Sequence, residues 1–234
     1  LQVYSKIPIK DHHIMNLLYL PPAALVPGTE IQEDPMAVFD LTVKNNLVAI
    51  VTDGSAVLGL GDIGPQAALP VMEGKAVLFQ SMAGVEAFPI CLAERDPQKI
   101  VDIVAAISPS FGGINLEDIS APRCFEIEAQ LKERLDLPVF HDDQHGTAIV
   151  VMAGLMNALK LRGTPLSEMK VVINGAGSAG IAVARLLISV GVGDIIMCDR
   201  YGTIYRGRNG GYHRIKEEIA RLTNKDQGKG TLAD

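Results

Sequence analysis

The chain has 234 residues, 48% of them hydrophobic and 21% charged, with a net charge of −6 and an isoelectric point near 5.4. That supplies apolar material for one large domain or two smaller ones. The acidic balance, with no clustering of basic residues, argues against a nucleic-acid partner, and no apolar run reaches the roughly 18 residues a membrane span requires. The chain starts at Leu1 with no basic-then-apolar leader, so no export signal is expected. In the first segment Pro8, Pro21, Pro22 and Pro27 interrupt any regular pattern, leaving only residues 14–20 for a short helix. From about residue 47 onward, short Val/Ile/Leu-rich runs alternate with segments of helical spacing. LVAIVTD, FPICL, GGINLE, LPVF, KVVINGAG and DIIMCD read as strands; residues 65–82, 97–107, 122–135, 144–161 and 178–190 read as helices. Asp96-Pro97 and Ala121-Pro122 supply helix starts. Alternation of this kind predicts an α/β fold, a parallel sheet with helices on its faces.

The breaker-rich stretch from Leu161 to Glu168 is the expected domain boundary, giving residues 1–162 and residues 163–234 as two domains, the second Rossmann-like. Cys91, Cys124 and Cys198 are widely spaced, form no Cys-x-x-Cys pair and lie in apolar contexts. They are expected to be core residues of a cytoplasmic protein rather than disulfides or zinc ligands.

Two glycine loops match Gly-x-Gly-x-x-Gly, one at Gly59, Gly61 and Gly64, the other at Gly175-Ala176-Gly177-Ser178-Ala179-Gly180. The match matters only where a strand precedes it, a helix follows directly, and an acidic residue ends the next strand, where it can accept from ribose hydroxyls. The second loop meets all three conditions, with Asp199 as the acidic residue. The first, followed by Pro65, reads equally well as a turn that packs closely on neighbouring backbone. A carboxylate at Asp199 predicts NAD over NADP, although Arg200 beside it could offset the repulsion of a 2′-phosphate.

Two acidic pairs, Glu117-Asp118 and Asp142-Asp143, each follow a strand run. Ligands of open parallel sheets bind beyond the carboxyl ends of the strands, so the four carboxylates are expected to converge. Gathered together they repel unless a cation neutralises them, and an oxygen-only set favours Mg²⁺ or Mn²⁺. The alternative is that Asp118 and Asp143 cap the helices that follow. His141 and His145 stand at i, i+4, but His141 precedes the helix, which weakens a zinc reading. Lys75 lies in an otherwise apolar helix, its ammonium either snorkelling outward or projecting into a site. Tyr19, ahead of two prolines, is ambiguous between core aromatic and proton donor.

The segments VTDGSAVLGLGDIGPQAALPVMEGKAVLF, FGGINLEDISAPRCFEIE, PVFHDDQHGTAIVVMAGLMNAL and VVINGAGSAG resemble the malic enzymes, more closely their small bacterial form. The likeness covers nearly the whole chain, and LEDI together with HDDQHGTA is its most specific part. It implies oxidative decarboxylation of malate to pyruvate and CO₂ by a homodimer, with a divalent metal and NAD, or possible NADP, as cofactors. Residue by residue it implies Glu117, Asp118 and Asp143 as metal ligands, Lys75 as general base with Asp142 as its neighbouring carboxylate, and Tyr19 as proton donor. It makes residues 1–162 the malate- and metal-binding domain and the Gly175 to Gly180 loop the dinucleotide loop. Two departures stand out. The family's Tyr-Thr-Pro-Gly-Val is here Tyr19-Leu20-Pro21-Pro22-Ala23, and Ala56 stands where larger members carry an Arg for a malate carboxylate. Competing readings are a metal-independent 2-hydroxy-acid dehydrogenase and an inactive fragment of a malic enzyme. Only residues 200–234 follow the Asp199 strand, room for a hairpin-like turn and one helix from about Tyr212 to Leu222. The expectation is therefore a piece of a longer enzyme, holding the first half of its dinucleotide domain and an exposed apolar sheet edge.

Overall fold

The computed structural model describes residues 7–19, 21, 25–210 and 213–234. Its first half is built on four parallel strands, β1 (Leu47–Thr52), β2 (Glu86–Cys91), β3 (Gly113–Leu116) and β4 (Val139–His141), in the spatial order β2-β1-β3-β4. Ahead of them come the helices α1 (His12–Tyr19), α2 (Leu25–Glu33) and the single turn α3 (Val38–Leu41). The sequence pattern located α1 within two residues, and Leu20, Pro22 and Ala23 lie outside the described residues. It missed α2 because Pro27 looked like a breaker. Pro27 occupies the first turn of α2, where its absent N–H has no intrahelical partner to lose.

Each crossover between the parallel strands is helical: α4 (Gly64–Ala83) after β1, α5 (Pro97–Ile107) after β2, and α6 (Arg123–Arg134) after β3. Asp96 caps α5 as expected, its side chain accepting from the Lys99 N–H at 3.0 Å. All four residues of β3 and the last four of β1 are buried, which is why these runs read as continuous apolar stretches rather than alternating ones. The chain leaves β1 to one side for β2 and returns to the other for β3, so the reversal in strand order falls between β1 and β3. A crevice opens at the carboxyl ends of the strands at such a reversal.

The long helix α7 (Asp142–Arg162) leads from β4 to the second sheet, ending at Gly163 in the left-handed conformation. There β5 (Lys170–Asn174) and β6 (Asp194–Asp199) pair in parallel through α8 (Ser178–Ser189). β7 (Gly202–Thr203) folds back antiparallel on β6, the hairpin-like turn expected, and α9 (Arg214–Leu222) follows. Tyr212, the expected start of that helix, lies outside the described residues. β5 is an edge strand among the described residues, with Val172 55% exposed on it. One buried cluster runs through both sheets, joining Val51, Ile114 and Leu116 to Ile181, Leu187, Ile195 and Met197. All three cysteines are free thiols, Cys124 and Cys198 buried and Cys91 half-buried. Among the described residues no helix is long and apolar enough to cross a membrane.

Candidate active site

The crevice beyond β3 and β4 gathers the acidic residues. Glu117 and Asp118 leave the end of β3, and Asp142 and Asp143 form the first turn of α7 directly after β4. The ligand oxygens of Glu117, Asp118 and Asp143 lie within 4.8 Å of one another. Asp118 adopts a left-handed backbone, φ 53°, which costs about 1–2 kcal/mol for an L-residue and is least unfavourable for Asp or Asn. Several bonds hold it there. Its carbonyl accepts from the Ala56 N–H at 2.9 Å, its own N–H donates to Asp143 Oδ2 at 3.1 Å, and the Leu58 N–H donates to its carboxylate.

Neither proposed cap forms. α7 is capped by His141 with no side-chain bond, and α6 by Pro122 with none, so Asp143 and Asp118 spend their oxygens on the cluster instead. Burial, then the charge of Glu117, pushes Asp118 up to about 6; burial, then the charge of Asp118, pushes Asp143 up to about 6. Glu117 is also raised, by burial, against the pull of Lys75. Three crowded carboxylates that resist ionising are what a divalent cation stabilises, and the all-oxygen donor set suits Mg²⁺ or Mn²⁺. These residues fit such an ion. The histidines stay outside: His145 Nε2 meets Glu128 at 2.6 Å, and His141 is fully buried, its ring held neutral by burial that lowers its pKa to about 4.

Lys75 projects into the same crevice. In α4 the buried positions Ala68, Met72 and Ala76 face the sheet, and Lys75 Nζ reaches Asp142 Oδ2 at 2.7 Å and Glu117 Oε2 at 3.1 Å. Burial opposes its charge, but the Asp142 hydrogen bond and the Glu117 charge outweigh this and hold the ammonium above its ordinary range. Here the carboxylates themselves balance the lysine. Asn115, two residues earlier on β3, donates to Glu117 Oε2 at 2.8 Å. Sequence reasoning missed Gly146 as well. A Cβ there would stand 2.4 Å from Asp142 Oδ1, so only glycine leaves room for the carboxylate that grips Lys75. Tyr19 is not brought into this cluster: at the end of α1 it is 79% exposed.

The first glycine loop is structural. Ile63 and Gly64 N–H both donate to the Gly54 carbonyl at 3.1 Å, and Val57 bridges Gly61, which folds the loop so that Ala56 and Leu58 hold Asp118. The second loop runs from the end of β5 into α8, with Gly177 as the helix cap and Gly175 N–H bonded to the Cys198 carbonyl of β6. A Cβ on Gly180 would lie 1.9 Å from the Gly175 oxygen, so the loop and first helical turn pack too closely for any side chain. That leaves Ala176, Ser178 and Ala179 presenting backbone at the helix N-terminus, the arrangement that suits a pyrophosphate.

Asp199 ends β6 beside this loop, where protein donors surround it. Oδ1 accepts from Tyr201 N–H at 2.9 Å and Arg208 Nη1 at 3.0 Å; Oδ2 accepts from Arg208 Nη2 and Lys216 Nζ, each at 2.7 Å. A carboxylate offers about four acceptor positions, and here protein donors occupy them. Burial would raise its pKa, yet Arg208 and Lys216 hold it well below the carboxylate range.

Two family models match the chain: the malic enzyme N-terminal domain over residues 28–132 and the malic enzyme NAD binding domain over residues 144–224. Along its whole length the chain is 57% identical to a bifunctional malic/malolactic enzyme of Bacillus subtilis, covering 57% of that protein. It is also 57% identical to an NAD-dependent malic enzyme of Geobacillus stearothermophilus, covering 48% of it. The crystal structure of an NAD-dependent malic enzyme from Thermotoga maritima matches with a TM-score of 0.95 at 46% identity, over 99% of this chain and 62% of that one. The chain thus spans about half the length of the curated relatives it matches. It belongs to the malic enzyme family.

Proposed function

We propose that the chain carries the malate and metal site, and the first half of the dinucleotide site, of an enzyme that oxidatively decarboxylates malate to pyruvate and CO₂. The observation that carries this reading is the Lys75–Asp142 contact of 2.7 Å set against the Glu117, Asp118 and Asp143 cluster. Those three carboxylates would hold Mg²⁺ or Mn²⁺, which when bound supplies Lewis-acid polarisation of a substrate oxygen, and a nicotinamide dinucleotide at the Gly175 to Gly180 loop supplies the hydride acceptor. With a cation neutralising Glu117, Asp118 and Asp143, the carboxylates would no longer hold Lys75 as an ammonium; its free amine would take the proton of the C2 hydroxyl as general base, with Asp142 orienting it and stabilising the ammonium that results. Asn115 fixes the rotamer of Glu117, and Asp118 is locked by the Ala56 and Leu58 amides, so the oxygens are placed before substrate arrives. The proton delivered to C3 is assigned to Tyr19 on the family resemblance alone. With residues 1–162 as the substrate- and metal-binding domain and residues 163–234 as the dinucleotide domain, the enzyme acts as a cytoplasmic homodimer. Free cysteines support the compartment, and exposed Val150 and Leu161 on α7 support association. Mn²⁺ binding to the chain, followed by electron paramagnetic resonance, tests the site. Saturable binding at one site that Asp143→Asn removes is expected; no binding at millimolar Mn²⁺ would reject the reading.

A further inference from the structure

The loops that follow β1 and β3 are tied together by a polar network that the proposed chemistry does not use. Its hub is the buried Ser55. The Ser55 hydroxyl donates to Asp53 Oδ1 at 2.5 Å and accepts from the Ser120 N–H at 2.9 Å and from Arg123 Nη2 at 3.0 Å, which uses its one proton and both lone pairs. Arg123, the first residue of α6, also donates through Nη2 to Ser120 Oγ at 3.1 Å and through Nη1 to the Arg95 carbonyl at 2.6 Å. Its charge is matched by the fully buried Asp53, whose Oδ2 stands 2.8 Å from Nη2. A buried carboxylate stripped of its counter-charge is strongly destabilising, so the pair fixes the guanidinium, and the guanidinium fixes Ser55.

What the network holds is the segment that carries Asp118. The left-handed backbone of that residue, φ 53°, is one an L-residue adopts only under constraint. The constraint acts on both sides. Before Asp118, the Glu117 N–H donates to the Val51 carbonyl at 2.9 Å; after it, the Ser120 N–H donates to Ser55. Ala56, which follows Ser55, closes the loop with its N–H on the Asp118 carbonyl. Resting on the reading of Glu117, Asp118 and Asp143 as a divalent-cation site, we infer that Arg123 and Ser55 are positioning residues for that site. They hold Asp118 in the conformation that brings its carboxylate beside those of Glu117 and Asp143.

Titration of the chain with Mn²⁺, followed by electron paramagnetic resonance, tests this without substrate or dinucleotide, on variants whose circular dichroism is native. Ser55→Ala is expected to weaken Mn²⁺ binding at least roughly tenfold, the usual scale for an outer partner of a metal ligand. Arg123→Lys keeps the charge opposite Asp53 but not the fork that spans Ser55 and Ser120, and a several-fold weakening is expected. An effect of charge alone would leave that variant unmoved, and should Ser55→Ala not fold, Arg123→Lys carries the test by itself. Because both residues act through one hydroxyl, the double variant is expected to bind about as weakly as Ser55→Ala alone rather than by the product of the two losses. Wild-type Mn²⁺ affinity in the folded single variants, even with a lowered thermal midpoint, would overturn the inference, as would losses that multiply in the double variant, and either result would leave the metal reading standing. Absence of Mn²⁺ binding by the wild-type chain would overturn the metal reading and this inference together.

Discussion

Lys75 shows how a single side chain acquires a role from its surroundings. In sequence it is one lysine among apolar neighbours, and both snorkelling and insertion satisfy that pattern. Its partners, Glu117 and Asp142, are 42 and 67 residues away, so only the sheet topology could decide between the two. Replacing it with alanine removes the base but leaves the α4 backbone unaltered. Lys75→Ala is expected to lower kcat for malate by at least roughly 10²-fold, with partial return on adding small primary amines. An unchanged pH–rate profile in the variant would count against the assignment. The acidic pairs were legible because they stand directly after apolar strand runs, and the fold places strand ends together. Asp199 was legible in position but its partners were not, since Arg208 and Lys216 reach it from a turn and a helix whose spacing carries no motif.

At the scale of elements, the site depends on how tightly α7 starts after β4. Gly146 sits one turn into α7 against Asp142, and no periodicity argument marks it, because an isolated glycine in a helix reads only as a weak breaker. Gly146→Ala must displace the Asp142 carboxylate from the place where it grips Lys75. A lower thermal midpoint together with a reduced kcat is expected; a gain in both stability and activity, as alanine's helix propensity alone would give, would show that the contact is not tight. The join between β6 and α9 makes a separate claim about pH. Asp199 has its folded pKa depressed by Arg208 and Lys216, so its contribution is complete above the unfolded value of about 3.9 and is lost as pH falls through the lower folded value. Asp199→Asn leaves the buried Arg208 and the half-buried Lys216 without their counter-charge and should cost about 3–5 kcal/mol near neutrality. Urea melts of both proteins should show that difference constant above about pH 5 and narrowing below about pH 4, where the wild type loses the same interaction. A gap that widens on acidification would reverse the sign of the argument.

Across the whole molecule the two sheets share one buried cluster, with Ile114 and Leu116 of the first joined to Ile181 and Ile195 of the second through α7 and α8. The parallel α/β character was readable because strands covered on both faces are written as unbroken Val/Ile/Leu runs. Continuity of the core was not, since the breaker-rich stretch from Leu161 to Glu168 looks like a divide, although Leu155 and Met152 of α7 pack against the same cluster as Leu166 and Met169 beyond it. A shared core makes local stabilisation global. An ion bound by Glu117, Asp118 and Asp143 offsets the burial, and then the mutual repulsion, that raise Asp118 and Asp143, and it binds the folded chain in preference to the unfolded one. At Mn²⁺ about one hundred times its dissociation constant, the gain is about 2.7 kcal/mol. At about 2–4 °C per kcal/mol for a chain of this size, the midpoint should rise by roughly 5–10 °C. The rise should appear in one transition that carries the second sheet with the first, read by amide hydrogen exchange in β5 and β6 as well as in β1 and β3, and Asp143→Asn should abolish it in both. Protection gained only in the first sheet would show that the cluster does not couple the two halves, and that the boundary visible in the sequence is also a boundary in stability.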